Sequence, residues 1–345
     1  MKILIDIMSG DKAPVEQLVG AVQAAVETPS VSFGFIGNED IIRAVASARG
    51  LDIGLPNIEI FHTAEIVTME DAPLCVVREK KDSSMGVGLK MLAEGKGDAF
   101  VSAGNTGALH AGSTLIVRRI KGIQKSAIAT VLPFRNPTLL IDSGANIEIS
   151  PETYVQLAKM GSVYMNRILK VDNPRIGLLN IGAERTKGTK TVAEAYGLLE
   201  NAESINFIGN VEGKELPMGA CDVLVCDGFS GNIVLKLTEG CAAFLIGKLK
   251  DVFNENPMTK LSALGVKNGL RRMKKDFDAS EYGGAPLLGL SKTVIKAHGS
   301  SDAAAIRNAV RQAVGCVENN VVYEIAKLVV PEIIPREKEA TAGRN

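Results

Sequence analysis

Residues 1–36, MKILIDIMSGDKAPVEQLVGAVQAAVETPSVSFGFI, contain two short apolar segments on either side of an amphipathic one. Residues 3–7 and 31–36 are rich in β-branched and aromatic side chains, which is typical of strands. Residues 14–27 have helical spacing, and Pro14 stands where the first turn of a helix tolerates proline. A helix between two strands indicates the first unit of a parallel α/β sheet.

The same alternation of strand and helix continues to residue 227. Further strands are predicted at residues 58–61, 99–102, 127–131, 139–142, 176–181, 205–208 and 223–227. Further helices are predicted at residues 39–48, 86–94, 151–169 and 189–201. Ser150 is the predicted N-cap of the helix that begins at Pro151. Several strands are apolar on both faces, so we predict an α/β fold with a doubly wound, mostly parallel sheet.

Helical sequence dominates after residue 227. The predicted elements are a helix at 232–253, a turn at 254–257, more helix to 277, a Gly-rich segment at 282–290 and one long helix at 302–329. Residues 232–277 therefore form a helical excursion from the α/β body, which fits a dimer clasp and an ordinary packing helix equally well. The charged tail at 335–345 is predicted to be disordered.

Composition excludes several classes of protein. The chain has 345 residues, with 39 Lys and Arg against 39 Asp and Glu; it has no Trp, and only 4% of its residues are aromatic. We therefore expect neither whole-chain attraction to nucleic acid nor base-stacking platforms. Five cysteines without a CxxC pair are typical of reduced thiols in the cytosol. The sequence contains no signal peptide and no uninterrupted apolar run of about 18 residues, so no membrane span is expected.

Loops rich in Gly, Asn, Ser and Asp follow five of the predicted strands. They span residues 6–11, 102–107, 142–146, 180–188 and 227–232. In a parallel sheet such loops gather at the carboxyl ends of the strands, where ligands bind. Because glycine lets backbone N–H groups approach an anion closely, the five loops together predict a phosphate site.

Standard nucleotide and hydrolase signatures do not fit these loops. Residues 86–88 begin as Gly-x-Gly but do not continue as GxGxxG, and residues 182–187 lack the Gly-Lys-Ser/Thr order of a P-loop. A nucleophile elbow needs glycine where the chain has Asn232, so Ser230 is a poor nucleophile candidate. The three histidines are too widely separated to predict a metal site.

Five segments carry a more specific pattern. They are SAGNTGA at 102–108, the loop at 180–188, DGFSGN at 227–232, EYGGAPLLG at 281–289 and KAHGSSD at 296–302. In this order the chain resembles the bacterial phosphate acyltransferase family of phospholipid synthesis, from residue 1 to residue 329. It departs from the family pattern at Ser9, where a glycine is expected, and at Ser143, where a valine is expected.

The resemblance implies both a reaction and a fold. Acyl-carrier-protein thioester reacts reversibly with inorganic phosphate to give an acyl phosphate and free carrier protein, and the acyl phosphate feeds a membrane glycerol-phosphate acyltransferase. The implied fold is that of isocitrate and isopropylmalate dehydrogenases and of phosphotransacetylase, with a cleft between two lobes. We expect residues 1–108 with 290–334 in one lobe and residues 109–289 in the other. No cofactor is implied.

Lys187 and Asn232 are the predicted catalytic residues. Phosphate is itself the nucleophile in the implied reaction, so a covalent enzyme intermediate is not required. Lys187 is the candidate for holding phosphate and offsetting its charge, and Arg185 is a weaker candidate for the same role. Asn232 is either a donor to the tetrahedral oxyanion or the N-cap of the long helix, and both roles are compatible.

Other side chains are predicted to bind phosphate or substrate. His298, Ser300 and Ser301 are expected to line the phosphate or protonate the departing sulfur, and the alternative is a capped helix start. The remaining predicted contacts are Ser102, Gly104, Asn105, Thr106, Asn146 and Gly231.

The helical excursion fits acidic partners. Four residues at helical spacing form one apolar stripe, which consists of Val266, Leu270, Met273 and Phe277. Basic residues surround the stripe, and both carrier protein and anionic lipid are acidic. We expect the stripe to pack in a homodimer, although a solvated basic face is the alternative. Met258, Leu261 and Leu264 are expected to touch the membrane, which would place the protein in the cytoplasm, peripherally bound to the inner face of the cell membrane, near the downstream acyltransferase.

Three other functions stay open at this stage. A phosphotransacetylase-like enzyme would use acyl-CoA in place of acyl-carrier protein, and donor preference separates the two. A non-catalytic membrane-docking or scaffold protein would show no acyl transfer. A dehydrogenase on the same fold is less well supported, because the sequence shows neither a dinucleotide motif nor a clear metal-carboxylate pattern.

Overall fold

One sheet of eleven strands runs through the computed structural model, which describes residues 1–256, 258, 259, 262, 265, 266, 269 and 283–329. The strands are β1 Lys2–Asp6, β2 Ser32–Gly37, β3 Ile58–His62, β4 Ala99–Ser102, β5 Ala127–Pro133, β6 Pro137–Ile141, β7 Arg175–Asn180, β8 Asn206–Glu212, β9 Val223–Val225, β10 Ala285–Leu288 and β11 Thr293–Lys296. Their order across the sheet is β3-β2-β1-β4-β11-β10-β5-β6-β9-β7-β8.

Most neighbouring strands are parallel, which confirms the predicted mostly parallel α/β sheet. β1, β2, β3, β4 and β11 form one parallel group, and β6, β7, β8 and β9 form another. β10 is antiparallel to both β11 and β5, and β5 forms an antiparallel hairpin with β6. These three antiparallel pairs make the two parallel groups run in opposite directions.

Nine α-helices lie in the described ranges. They are α1 Val15–Glu27, α2 Glu39–Arg49, α3 Ser84–Ala93, α4 Thr106–Gly112, α5 Pro151–Leu169, α6 Lys190–Glu200, α7 Gly228–Asn254, α8 Ala303–Glu318 and α9 Val321–Val329. A π-helical turn at Ser113–Val117 continues α4. Ser150 precedes α5 in extended conformation, but its side chain makes no capping hydrogen bond to the backbone.

Alternating side chains of each central strand enter two different hydrophobic layers. Ile3 and Ile5 of β1 are buried in the same cluster as Leu18 of α1 and Ala309 of α8. Leu4 points to the other face and lies in the cluster of Leu89 on α3. Because both faces of the strand are covered, its sequence is continuously apolar instead of alternating.

The structure corrects the prediction for the carboxyl-terminal third of the chain. β10 and β11 were not expected; each has only four residues, and the Gly-rich sequence around them hid the strand pattern. The single helix predicted at 302–329 is two helices. The break lies at Asn319 and Asn320, where Asn320 has a φ of 52° that an α-helix does not allow.

Helix α7 begins the helical excursion and is mostly exposed. Of the described helices, α7 alone is long and apolar enough by length and composition to cross a membrane, and only 6% of its most apolar window is buried. Lys236 and Glu239 interrupt the apolar sequence of α7, so the helix contains no uninterrupted apolar run of about 18 residues. Met258 is 74% exposed and Val266 is 45% exposed. The predicted tip residues Leu261 and Leu264, the stripe residues Leu270, Met273 and Phe277, and the tail 335–345 lie outside the described residues.

Candidate active site

The loops predicted to form the site fall into two groups. Three adjacent strands, β1, β4 and β11, lead into the first loop cluster, which we define as residues 9–11, 102–106 and 298–301. Three other adjacent strands, β6, β9 and β7, lead into the second loop cluster, residues 142–146, 180–188 and 227–232. The expectation of one set of loops along a single edge of the sheet was wrong, because these two sets of strands run in opposite directions.

Glycines allow the loops of the first cluster to pack directly on one another. A Cβ on Gly104 would lie 2.8 Å from the Cβ of Ser9, and one on Gly10 would lie 3.1 Å from the Cβ of Ala103. A Cβ on Gly299 would lie 3.1 Å from Oδ2 of Asp11. Gly104 thus serves close loop packing, since a larger side chain would push the loops apart.

The polar side chains of Ser102 and Asn105 are held by the protein itself. Ser102 Oγ donates to Asp6 Oδ2 at 2.8 Å and accepts from the Gly104 N–H. Asn105 caps α4, its Oδ1 accepting from Ala108 N at 3.0 Å, and its Nδ2 donates to the carbonyl oxygens of Met69 and Asp71. These residues shape the site, and the hydroxyl of Thr106, which follows them, is exposed.

His298 and Ser300 are exposed at the rim of the first cluster. His298 Nδ1 lies 2.9 Å from Ser300 Oγ and also accepts from the Ser300 N–H. Ser301 is buried and its N–H donates to the His298 carbonyl. The N-cap of α8 is Asp302, which accepts a hydrogen bond from Ala305 N at 2.9 Å. None of His298, Ser300 and Ser301 caps this helix. The helix start that follows these three residues is therefore capped, as the alternative expected, but by Asp302 and not by their side chains.

A buried charged network under the first cluster was missed in the sequence. Asp6 and Lys296 are the last residues of β1 and β11, with side chains 1% and 7% exposed. Burial raises the pKa of Asp6, partly opposed by the hydroxyls of Ser84, Ser9 and Ser102. Burial lowers the pKa of Lys296 to about 8, opposed by the charges of Asp11 and Asp6. The sequence signal that could have revealed this network is a charged residue at the end of an apolar strand, as at Asp6 and Lys296.

A buried carboxylate organises the second cluster. Asp142 Oδ1 accepts from the N–H groups of Gly144 and Ala145 at 3.0 and 2.9 Å, and Oδ2 accepts from that of Asn146 at 2.8 Å. The side-chain amide of Asn146 donates to the same Oδ2 and to the Ser126 carbonyl. The backbone donors expected to cradle phosphate in this loop are therefore occupied by Asp142.

Two glycines let α7 approach that loop. The Gly228 N–H donates to the Asn146 carbonyl at 2.7 Å. A Cβ on Gly231 would overlap the carbonyl oxygen of Asp142. Gly231 is thus required for contact between helix and loop, which explains its place in the motif without direct ligand binding.

Asn232 lies in the first turns of α7 and faces the loop. Its Cβ, Cγ and Oδ1 are 3.5–3.6 Å from the position of a Cβ on Gly144. Asp227 is the N-cap, its Oδ1 accepting from Ser230 N at 2.7 Å. The alternative in which Asn232 caps the helix was wrong, so the Asn232 amide is not needed for that purpose. Burial, with a smaller contribution from the charge of Asp227, raises the pKa of the neighbouring Tyr154 phenol.

Lys187 lies in an exposed loop that closes on itself. Asn180, at the end of β7, donates from Nδ2 to the Lys187 carbonyl at 3.0 Å and accepts from the Ile181 N–H. Within the described residues no ion pair engages the Lys187 ammonium. Asn180 shapes this loop and was not singled out in the sequence.

Arg185 points to a different neighbour. Its guanidinium pairs with Glu200 on α6 at 2.7 Å and lies 5.5 Å from the centre of the Tyr196 ring. Both partners of the ion pair are partly exposed, so the pair is weak and Arg185 can exchange it for another anion at low cost.

Helix α4 connects the two clusters. Asn105 at its start belongs to the first cluster, and His110 one turn later lies 3.1 Å from Ser126 Oγ. The carbonyl of Ser126 in turn accepts from Asn146 of the second cluster. Burial lowers the pKa of His110. The clusters are therefore joined through α4 and two contacts of Ser126, despite the opposite strand directions.

Similarity to known structures supports the fold. The chain superposes on a phosphotransacetylase from Streptococcus pyogenes with a TM-score of 0.59, covering 94% of each chain at 16% identity. At this identity the likeness establishes the fold alone.

Similarity of sequence is much closer. A family model described as "Fatty acid synthesis protein" matches residues 1–324. A phosphate acyltransferase of Thermoanaerobacterium thermosaccharolyticum is 46% identical over 95% of this chain and 96% of its own length. One of Alkaliphilus oremlandii is 47% identical over 95% of this chain and 97% of its own. The chain therefore belongs to the phosphate acyltransferase family.

Proposed function

We propose that this chain transfers a fatty acyl group from acyl-carrier protein to inorganic phosphate, giving the acyl phosphate used in phospholipid synthesis. The observation that carries the proposal is the identity of 46–47% to phosphate acyltransferases over 95% of the chain. A phosphate oxygen attacks the thioester carbon, the carbonyl becomes a tetrahedral oxyanion, and the carbon–sulfur bond then breaks. The carrier leaves as a thiolate, which takes up a proton.

Lys187 is the proposed phosphate-binding cation. Its loop is held by Asn180, and its side chain is exposed in the second loop cluster, to which Asn232 also belongs. An ammonium on a flexible stem neutralises a phosphate ion as a point charge, and this lowers the repulsion between phosphate and the developing oxyanion. Arg185 is the proposed second cation, recruited from Glu200 when phosphate is present.

Asn232 is the proposed oxyanion donor. Asp227 caps α7, so the Asn232 amide is available to donate an N–H at the place where α7 meets the loop of Gly144. A donor placed in advance at a developing oxyanion contributes about 3 kcal/mol to transition-state stabilisation. Gly231 and Asn146 contribute by holding the helix and loop together.

The first cluster is proposed to complete the phosphate and substrate contacts. Thr106, Ser300 and His298 present exposed polar atoms there, and His298 also suits protonation of the departing sulfur. Ser102, Gly104, Asn105 and Ser301 act from below by fixing the loops. This division follows from which polar atoms are already engaged within the protein.

The direct test is incubation with palmitoyl-acyl-carrier protein and phosphate, with mass detection of acyl phosphate. Palmitoyl-CoA in the same assay distinguishes the phosphotransacetylase-like alternative, in which acyl-CoA would be the better donor. Absence of acyl phosphate with either donor would contradict the proposal.

A homodimer is proposed through the helical excursion. α7 exposes large apolar side chains along its length, and a monomer would leave them in water. They include Phe229, Ile233, Leu237, Phe244, Leu245 and Val252. Sedimentation velocity of Leu237→Glu beside the wild type tests this: the variant is expected to be monomeric, and a dimeric variant would count against α7 as the interface.

Peripheral binding to the inner face of the cell membrane is proposed through the tip that contains Met258, Leu261 and Leu264. The exposure of Met258 and the membrane destination of the product support it. Leu261→Glu with Leu264→Glu should release the protein from anionic liposomes and leave acyl-phosphate synthesis in solution nearly unchanged. Unchanged co-sedimentation of the double variant with anionic liposomes would contradict membrane binding through the tip. At the membrane the product would pass to the downstream glycerol-phosphate acyltransferase.

The finer fold type is also proposed. The two oppositely directed strand groups suit the isocitrate and isopropylmalate dehydrogenase-like arrangement of two lobes with a cleft. Residues 1–108 with 290–334 would form one lobe and residues 109–289 the other. Limited proteolysis followed by mass analysis tests the lobe boundaries. The first cleavages are expected in the segments that join the lobes, near residues 108 and 290, and earlier cleavage inside either lobe would contradict the boundaries.

A further inference from the structure

Three buried polar residues stand side by side at the ends of three parallel strands. Lys296 of β11 pairs in register with Ser102 of β4, and Asp6 of β1 follows the registered pair of Ile5 with Val101. Ser102 Oγ joins the row by donating to Asp6 Oδ2 at 2.8 Å. An acid, a hydroxyl and an amine therefore form one row directly under the first loop cluster.

The amine of Lys296 holds two loops of that cluster. Its Nζ donates to the carbonyl oxygen of Ala103 at 3.2 Å and to that of Ala297. Ala103 begins the loop that carries Asn105 and Thr106, and Ala297 begins the one that carries His298 and Ser300. The ammonium thus connects the backbones of the two loops that contain the exposed polar groups of the cluster.

Two carboxylates act on the same amine. Burial lowers the pKa of Lys296, and the charges of Asp11 and Asp6 oppose this effect. Asp11 belongs to the third loop, where its N–H donates to the Gly299 carbonyl at 2.9 Å and its carboxylate lies against Gly299. Without Lys296, an anion at this cluster would face the charges of two carboxylates without the offset that the Lys296 ammonium supplies. Burying an amine is costly, so its presence here needs a reason of this kind.

We propose that Lys296 is a positioning residue for phosphate binding in the first loop cluster, joining its two loops through their carbonyls and offsetting the carboxylates of Asp6 and Asp11. The inference rests on the proposed function, since it takes phosphate as the anion. It assigns Lys296 no contact with the reacting atoms.

The first experiment compares Lys296→Met with the matched control Lys292→Met, which removes a lysine from the turn before β11. Lys296→Met is expected to raise KM for phosphate at least about ten-fold with a smaller change in kcat, as loss of hydrogen bonds from a charged group predicts. Lys292→Met should match the wild type. A Lys296→Met variant that is folded by circular dichroism and has an unchanged KM for phosphate would overturn the inference.

Asp11→Asn separates electrostatic offset from structural support. Asp11 is exposed and its backbone hydrogen bond to Gly299 does not need the carboxylate. The single variant should lower KM for phosphate by about two- to five-fold, the usual effect of one partly exposed charge. Added to Lys296→Met, it should recover part of the lost phosphate affinity. An unchanged KM for phosphate in Asp11→Asn, with no recovery in the double variant, would overturn the proposal that Lys296 offsets the carboxylates. The Asp11→Asn result alone decides this if Lys296→Met fails to fold.

Phosphate-dependent thermal stability gives a readout without turnover. Phosphate should raise the thermal midpoint of the wild type and of Lys292→Met, and raise that of Lys296→Met much less, because only the folded state binds. A wild type that shows this shift but makes no acyl phosphate would contradict the proposed function and leave the inference standing. An equal shift in Lys296→Met would overturn the inference while acyl transfer by the wild type is unaffected.

Discussion

The two loop clusters use buried charge in opposite ways. In the second cluster Asp142 accepts hydrogen bonds from the N–H groups of its own loop, so its charge is satisfied locally. In the first cluster Lys296 donates to the backbones of two loops, and its charge offsets those of Asp11 and Asp6 on separate segments. A Gly-rich loop at a strand end is therefore not by itself an anion cradle. Its donors must first be shown to be free.

In the second cluster, the residues that hold α7 against its loop are different from those that are available to bind substrate. Gly231 and Asn146 hold α7 against its loop, while Asn232 and Lys187 remain exposed and free to act. Four predictions test this separation, beginning with the charge that we expect to matter most for stability.

Asp142→Asn should lower the free energy of unfolding by about 4 kcal/mol, because an amide nitrogen would face backbone N–H groups that the carboxylate now satisfies. Urea unfolding measures it. Asp52→Asn is the matched control, since exposed Asp52 also accepts one backbone N–H and should change stability little. Equal effects in the two variants would show that the buried carboxylate has no special role.

Lys296 should make stability depend on pH in the alkaline range. Its pKa is lowered from 10.5 to about 8 in the folded protein, so between these values the unfolded chain holds more protons and stability rises with pH. Relative to Lys296→Met, the wild type should gain about 3 kcal/mol from pH 8 to 10.5. Denaturant unfolding of both proteins at each pH measures the difference in their free energies of unfolding. If that difference does not change with pH, the Lys296 ammonium is solvated in the folded protein and its pKa is not lowered.

Asn232→Ala should reduce turnover by about 100-fold, the usual effect of removing an oxyanion donor, with little change in thermal midpoint. The midpoint should hold because Asp227 caps α7. Asn38→Ala removes a true helix cap on α2 and should show the reverse, a lower midpoint with normal turnover. A lower midpoint with normal turnover in Asn232→Ala would make that residue structural.

Lys187→Ala should reduce turnover at least about ten-fold, because a charged phosphate contact is lost. Lys190→Ala is the control, since Lys190 is exposed at the start of α6 and its pair with Glu194 is long, at 3.9 Å. Steady-state assays with acyl-carrier protein and phosphate measure both. Similar kinetics in Lys187→Ala and the wild type would remove Lys187 from the site.

The loops of the candidate site could be located in the sequence because their motifs are local. The loop containing Lys187 and the DGFSGN segment could be located from glycine and amide residues after apolar strands. Their roles were less accessible. Asn105 and Ser102 were read as ligand contacts, yet their polar atoms bind the backbone around residues 69–71 and the Asp6 carboxylate. Such partners are distant in sequence, so spacing does not reveal them.

The alternation of strands and helices, the mostly parallel sheet and the family could all be predicted from the sequence, since these depend on local periodicity and on motifs in chain order. The grouping of the loops could not, because it depends on which strands pair. Two four-residue strands, β10 and β11, and the β5–β6 hairpin set the two strand groups in opposite directions. They also place Lys296 beside Ser102 and Asp6, residues separated by up to 290 positions in the chain. Strand pairing depends on contacts between remote segments, and only the folded chain brings those together.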